Sequence, residues 1–141
     1  MVSPKGAHMQ INRLDHLVLT VVNVEATCAW YSRVLAMEVV SFAGGRTALV
    51  WGEQKINLHQ QGQEFEPKAA HPLAGSADLC FITSTPLNDV IAHLEANSVP
   101  IIEDPVQRTG ALGPMLSIYI RDPDGNLIEL SNYVHPTLGA V

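Results

Sequence analysis

Basic residues are scarce in this chain. Eight Lys and Arg stand against fourteen Asp and Glu, giving a formal net charge of −6 over 141 residues. With a pI near 5.4, that balance argues against binding a nucleic-acid backbone, which calls for a basic surface. It does not exclude a small anionic ligand, which needs only one or two local Arg side chains. Cysteine is scarcer still, with only Cys28 and Cys80, too few for a secreted-type disulfide framework. No apolar run approaches the ~20 residues of a membrane-spanning helix. The opening residues carry no signal-peptide pattern, so a cytoplasmic location is the expectation. Charged residues make up 16% and hydrophobic ones 47%, the opposite of a disordered composition. The length suits one domain and is short for two.

What the chain does have is a weak internal repeat. Leu14–Val21 alternates like a strand, and Val24–Leu35 has helical spacing at Val24, Cys28, Tyr31 and Leu35, with Asn23 as N-cap. Met37–Phe42, Arg46–Trp51 and Gln54–His59 follow as strands, separated by Gly44-Gly45 and Gly52. The second half repeats the order. Ala77–Thr83 reads as a strand and Leu87–Ala96 as a helix, with Thr85 as N-cap and Pro86 in the first turn. Val99–Glu103, Met115–Arg121 and Asn126–Tyr133 read as strands, the last two joined by the Asp122-Pro123-Asp124-Gly125 turn. The expected fold is therefore α+β: two βαβββ modules, 11–59 and 77–134, whose sheets pair into a cup. A polar linker, Gln60–Ser76, joins them. Residues 1–10 read as a tail, and Gly6-Ala7-His8-Met9 resembles a cloning remnant; 135–141 reads as a second tail.

Strand alternation then sorts the side chains. Apolar Leu17, Leu19, Ile56, Leu58, Leu79, Phe81, Ile128 and Leu130 suit the helix side. The open side then carries His16, Asn57 or His59, Asp78 and Glu129, one candidate metal-binding group per repeat-related strand. Imidazole with carboxylate suits Zn²⁺, Ni²⁺, Co²⁺, Mn²⁺ or Fe²⁺. Each group also has a plainer reading. A lone His is more often a hydrogen-bonded structural residue, and Asp78 can cap its strand or pair with an Arg. Glu129 is the hardest to explain away, because a carboxylate amid apolar residues calls for a cation or a raised pKa. Trp51, Tyr119 and Phe42 are candidate pocket walls or ordinary strand aromatics. Arg46 and Arg108 are candidate anchors for a substrate carboxylate or phosphate. His71 and Lys68 in the linker are candidates to close over the site, and His93 reads as a solvated helix residue.

These residues resemble the vicinal oxygen chelate superfamily of glyoxalases, bleomycin-resistance proteins and extradiol dioxygenases. The first signature is Leu14-Asp15-His16-Leu17-Val18-Leu19-Thr20-Val21, then Trp30-Tyr31 and Leu35-Ala36-Met37; the second is Arg121-Asp122-Pro123-Asp124-Gly125-Asn126-Leu127-Ile128-Glu129-Leu130. The stretches Gln54–His59, Glu64–Pro72 and Arg108–Ala111 further resemble a glyoxalase-domain subgroup that includes virulence-associated bacterial proteins.

The resemblance implies a metal-dependent lyase or isomerase of the lactoylglutathione lyase type, acting on a small substrate with adjacent oxygens. His16 and Glu129 fall on metal positions, with His59 as third ligand. Glu129 would be ligand and base, with Asp78 a rival base. Asn57, Trp51, Tyr119 and Arg108 would line the substrate site. The family's fourth-strand ligand, often Glu, falls on Asn57, and its fifth-strand His falls on Asp78. It also implies a homodimer whose cups are built from two chains. The alternatives are a metal-free drug-binding protein of the bleomycin-resistance type and an extradiol-type dioxygenase. Ala36 stands where the family usually has Gly, and a left-handed conformation there would cost roughly 1 kcal/mol relative to Gly.

Overall fold

The computed structural model describes residues 8–134; the expected C-terminal tail and most of the N-terminal one lie outside that range. The first module runs β1 (His16–Val21), α1 (Val24–Leu35), β2 (Glu38–Phe42), β3 (Arg46–Trp51) and β4 (Gln54–Gln60). Its strands form one sheet in the order β1-β4-β3-β2. The second module runs β5 (Asp78–Ile82), α2 (Leu87–Ala96), β6 (Glu103–Gly110), β7 (Gly113–Arg121) and β8 (Leu127–Tyr133), in the order β5-β8-β7-β6. In each sheet the first strand lies parallel to the last and the other pairs are antiparallel. This is the expected pair of βαβββ modules.

Each sheet turns its apolar face to a core. The first core holds Leu19, Tyr31, Leu49, Ile56 and Leu58; the second holds Val34, Leu94, Ile118, Ile120, Ile128 and Leu130. Enclosing one such Ile contributes about 2 kcal/mol. The two cores meet at Trp30, Leu35, Leu79 and Phe81, which pack against both. Trp51 meets Phe81 edge-on across this seam at 5.4 Å. Trp51 thus packs against the helix-side core of the first module.

Polar groups lock the seam. Asp122 is 6% exposed. Its carboxylate accepts from the Tyr31 hydroxyl at 2.6 Å, from the Asn126 amide side chain, and from the backbone N–H groups of Asp124 and Asn126. Burial, and then the Asp122 charge, push the Tyr31 phenol far above its ordinary range. The Asp122–Gly125 turn is therefore a ligand for the first helix as well as a chain reversal. His93, expected in solvent, instead shares a hydrogen bond of 2.8 Å with the Val34 carbonyl near the end of α1.

Of four local expectations, two hold and two change. Asn23 does cap α1, accepting from Ala26 N–H at 2.9 Å, and Ala36 does adopt the left-handed conformation (φ 57°). Thr85 does not cap α2. Asn132 on β8 does that work, accepting from Leu87 N–H and donating to the Thr83 and Thr85 carbonyls. The strand expected at Val99–Glu103 begins only at Glu103 and runs on to Gly110. Before it, Ile102 N–H makes a single bond to the Tyr119 carbonyl.

Candidate functional site

The sheet faces turned away from the cores hold the chemistry. In the first sheet, His16, Val18 and Thr20 stand beside Lys55, Asn57 and His59. The same register puts Ala48 beside Asn57. Strand parity forces this set, because Leu17, Leu19, Ile56 and Leu58 are held in the core. In the second sheet, Asp78, Cys80 and Ile82 share the open face with Glu129 and Ser131, and Tyr119 lies opposite Glu129.

His16 is at the start of β1, 41% exposed, with Nδ1 at 2.8 Å from the Asp15 carboxylate. It lines a groove of about 310 Å³ with Asp78, Cys80 and Trp51, where the edges of β1 and β5 face each other. His59 lies opposite Thr20, whereas His16 lies opposite Lys55. Four positions along a strand is about 13 Å, so the two imidazoles open on different ground. His59 is 6% exposed and packs edge-on against Phe65, whose face carries the Arg46 guanidinium at 4.4 Å. Asn57 sits between them on the face, and its Oδ1 is buried without a hydrogen-bond partner. Phe42 lies beneath the Lys55 ammonium.

Glu129 is half-buried on β8 and enters no ion pair among the described residues. Ser131 Oγ lies 3.4 Å from its Oε2, and shares a 2.6 Å hydrogen bond with Ser117. Arg108 Nε donates to the Tyr119 hydroxyl at 2.9 Å, while its Nη2 approaches Glu103 at 3.6 Å. Its bond to the Tyr119 hydroxyl is the main reason the guanidinium is held even more firmly protonated than usual. Glu129, Arg108, Tyr119 and Asp78 line one groove of about 360 Å³. Cys80 is exposed beside them, but burial of its thiol raises its pKa and makes it a poor nucleophile.

The structure thus brings Glu129, Asp78, Tyr119 and Arg108 together, and His16, Asp78 and Trp51 together. It does not bring His16, His59 and Glu129 together. Among the described residues no group of three or more His, Cys, Asp or Glu side chains is placed to hold a metal ion. The expected three-ligand set therefore does not fit a metal within one chain. Residues that sequence reasoning passed over are Ser117, which bonds Ser131 beside Glu129, and Phe65 over His59. Strand parity places Ser131 on the open face with Glu129 and would have placed Ser117 there too; nothing in the sequence marked Phe65.

Residues 13–130 match the Glyoxalase/Bleomycin resistance protein/Dioxygenase superfamily, and the chain belongs to it. Among curated relatives, virulence protein STM3117 of Salmonella typhimurium is 60% identical over 130 residues, covering 92% of this chain and 90% of that protein. Glyoxalase domain-containing protein RDO1 of Mycosarcoma maydis is 54% identical over 125 residues, covering 89% of this chain and 70% of that one. The crystal structure of the Salmonella protein superposes with a TM-score of 0.88, covering 89% of this chain and all of the other. A lactoylglutathione lyase from Agrobacterium tumefaciens superposes at 0.67 with 22% identity, over 88% of this chain and 96% of that one, and shares the fold. No described helix is long and apolar enough to cross a membrane.

Proposed function

We propose that the chain is a small-molecule lyase or isomerase of the glyoxalase type, working as a homodimer on a substrate with two adjacent oxygens. The observation that carries this reading is Glu129: a carboxylate without an ion-pair partner among the described residues, on an open sheet face, beside an Arg108–Tyr119 pair. Arg108 anchors an anionic substrate group and Tyr119 fixes the guanidinium's direction. Glu129 takes the proton α to a carbonyl and returns it to the neighbouring carbon. Asp78, on the rim of the same groove, is the second candidate for that proton transfer.

His16 and Glu129 line separate grooves that share Asp78. A second copy supplies the missing half: His16 of one chain meets Glu129 of the other, with Asn57 or Asp78 beside them. Such a pair would hold a divalent cation, whose chemistry is to polarise adjacent substrate oxygens. Trp51 contributes the apolar wall next to His16.

The test is metal content and turnover of the methylglyoxal–glutathione adduct, measured on wild type, Glu129→Gln and His16→Ala. Loss of the base is expected to lower kcat by about 10²–10⁴-fold, and both variants should carry less metal. Equal, negligible metal in all three, with adduct bound but not turned over by wild type, would make the protein a binder instead.

A further inference from the structure

A separate opening lies away from His16. It is a cavity of about 590 Å³ between the open face of β1 and β4 and the linker that crosses above it. From the sheet it receives His59 and Thr20; from the linker it receives Lys68, His71 and Ser76. Short apolar surfaces from Val18, Pro67, Pro72 and Leu73 complete the wall.

Two features mark this as ground shaped for a ligand. The first is His59. It is 6% exposed, its ring borders the cavity, and it makes no hydrogen bond among the described residues; its contact is the edge-on packing with Phe65. A buried imidazole without a partner gives up hydrogen bonds it would make in water, which a ligand can restore. The second is charge. In a chain with fourteen acidic and eight basic residues, this lining carries one Lys and two His and no Asp or Glu. Lys68 is steered by Glu66 at 2.6 Å, and Glu66 itself stays outside the lining.

The linker is also tied down rather than draped. Gln61 N–H bonds the Val21 carbonyl, Ser76 Oγ bonds the Leu73 carbonyl, and Ala77 N–H bonds Asn126 Oδ1. At Gly75 (φ 79°) a Cβ would lie 2.5 Å from the Asp124 carbonyl oxygen, so the linker's end sits directly on the β7–β8 turn. The roof therefore has a fixed place over His59.

We propose that this cavity binds a small anion with a carboxylate or phosphate head and a short apolar body. Lys68 and His71 grip the head from above and His59 donates to it from the sheet. The apolar lining takes the body. This site is built from the first sheet and the linker, with only Ala77 and Asn126 from the second module, and does not require the reaction at Glu129.

Histidine side-chain NMR of the full chain tests it, with inorganic phosphate and butyrate as separate probes. At least one probe should move the His59 and His71 ring signals saturably, and the two arms tell a phosphate head from a carboxylate. Lys68→Met, on an exposed side chain, should weaken that binding about tenfold, a loss of roughly 1.4 kcal/mol, with an unchanged melting temperature. Glu129→Gln should leave it as in wild type, so failure of the catalytic reading and failure of this one are distinguishable. Absence of saturable shifts with either probe overturns the proposal. So do shifts that Lys68→Met leaves unaltered.

Discussion

At the residue scale, Ala36 makes the simplest prediction. Its left-handed backbone (φ 57°, ψ 30°) ends α1, and its N–H bonds the Tyr31 carbonyl. A Cβ is strained there and glycine is not. Ala36→Gly should raise the unfolding free energy by about 1 kcal/mol, read as a higher denaturant midpoint at unchanged slope. Tyr31 makes the opposite case. Its hydroxyl is one of the four donors that satisfy the buried Asp122 carboxylate. Tyr31→Phe should cost about 2 kcal/mol, the range for a hydrogen bond to a charged group, and equilibrium unfolding measures it directly. Both effects follow from sequence features that were visible: Ala36 in a position the family gives to glycine, and the Asp-Pro-Asp-Gly turn. What the sequence did not display was the partner. Tyr31 and Asp122 lie 91 positions apart, and only packing of the two modules brings them together.

At the element scale, legibility followed periodicity. Strands with one face in a core declared themselves, because Leu17, Leu19, Ile56 and Leu58 alternate with polar neighbours. The same parity placed Asn57, Asp78 and Glu129 correctly on open faces. β6 was expected too early, at Val99–Glu103 instead of Glu103–Gly110, for a physical reason. It is an edge strand of sequence Glu-Asp-Pro-Val-Gln-Arg-Thr-Gly with an irregularity between Glu103 and Val106. An edge strand tolerates a proline, a bulge and charge that a central strand would not. The cap of α2 was missed because it arrives from β8, forty-five residues away. Asn132 holds three backbone groups at once, at 2.8, 2.8 and 2.9 Å. Asn132→Ala should therefore cost about 2 kcal/mol, the upper range for a lost cap. Hydrogen exchange should show the first turn of α2 losing protection before its later turns do.

At the scale of the whole molecule, the question is how many chains make one site. Within one chain, His16 faces the seam between β1 and β5, while Glu129 lies one strand further into the second sheet, beside Cys80 and Tyr119. If each site joined His16 and Glu129 of the same chain, mixing two defective variants would restore nothing. A site shared between copies behaves differently. In a dimer of one His16→Ala chain and one Glu129→Gln chain, one site carries both substitutions and the other carries neither. Random mixing makes half the dimers heterodimers, so about one quarter of all sites should be intact. Co-refolded equal mixtures should thus recover about a quarter of wild-type turnover and metal content, while each variant alone stays near zero. No recovery, with heterodimers shown to form, would place His16 and Glu129 in one chain's site after all, and would require the β1–β5 seam to close when ligand binds.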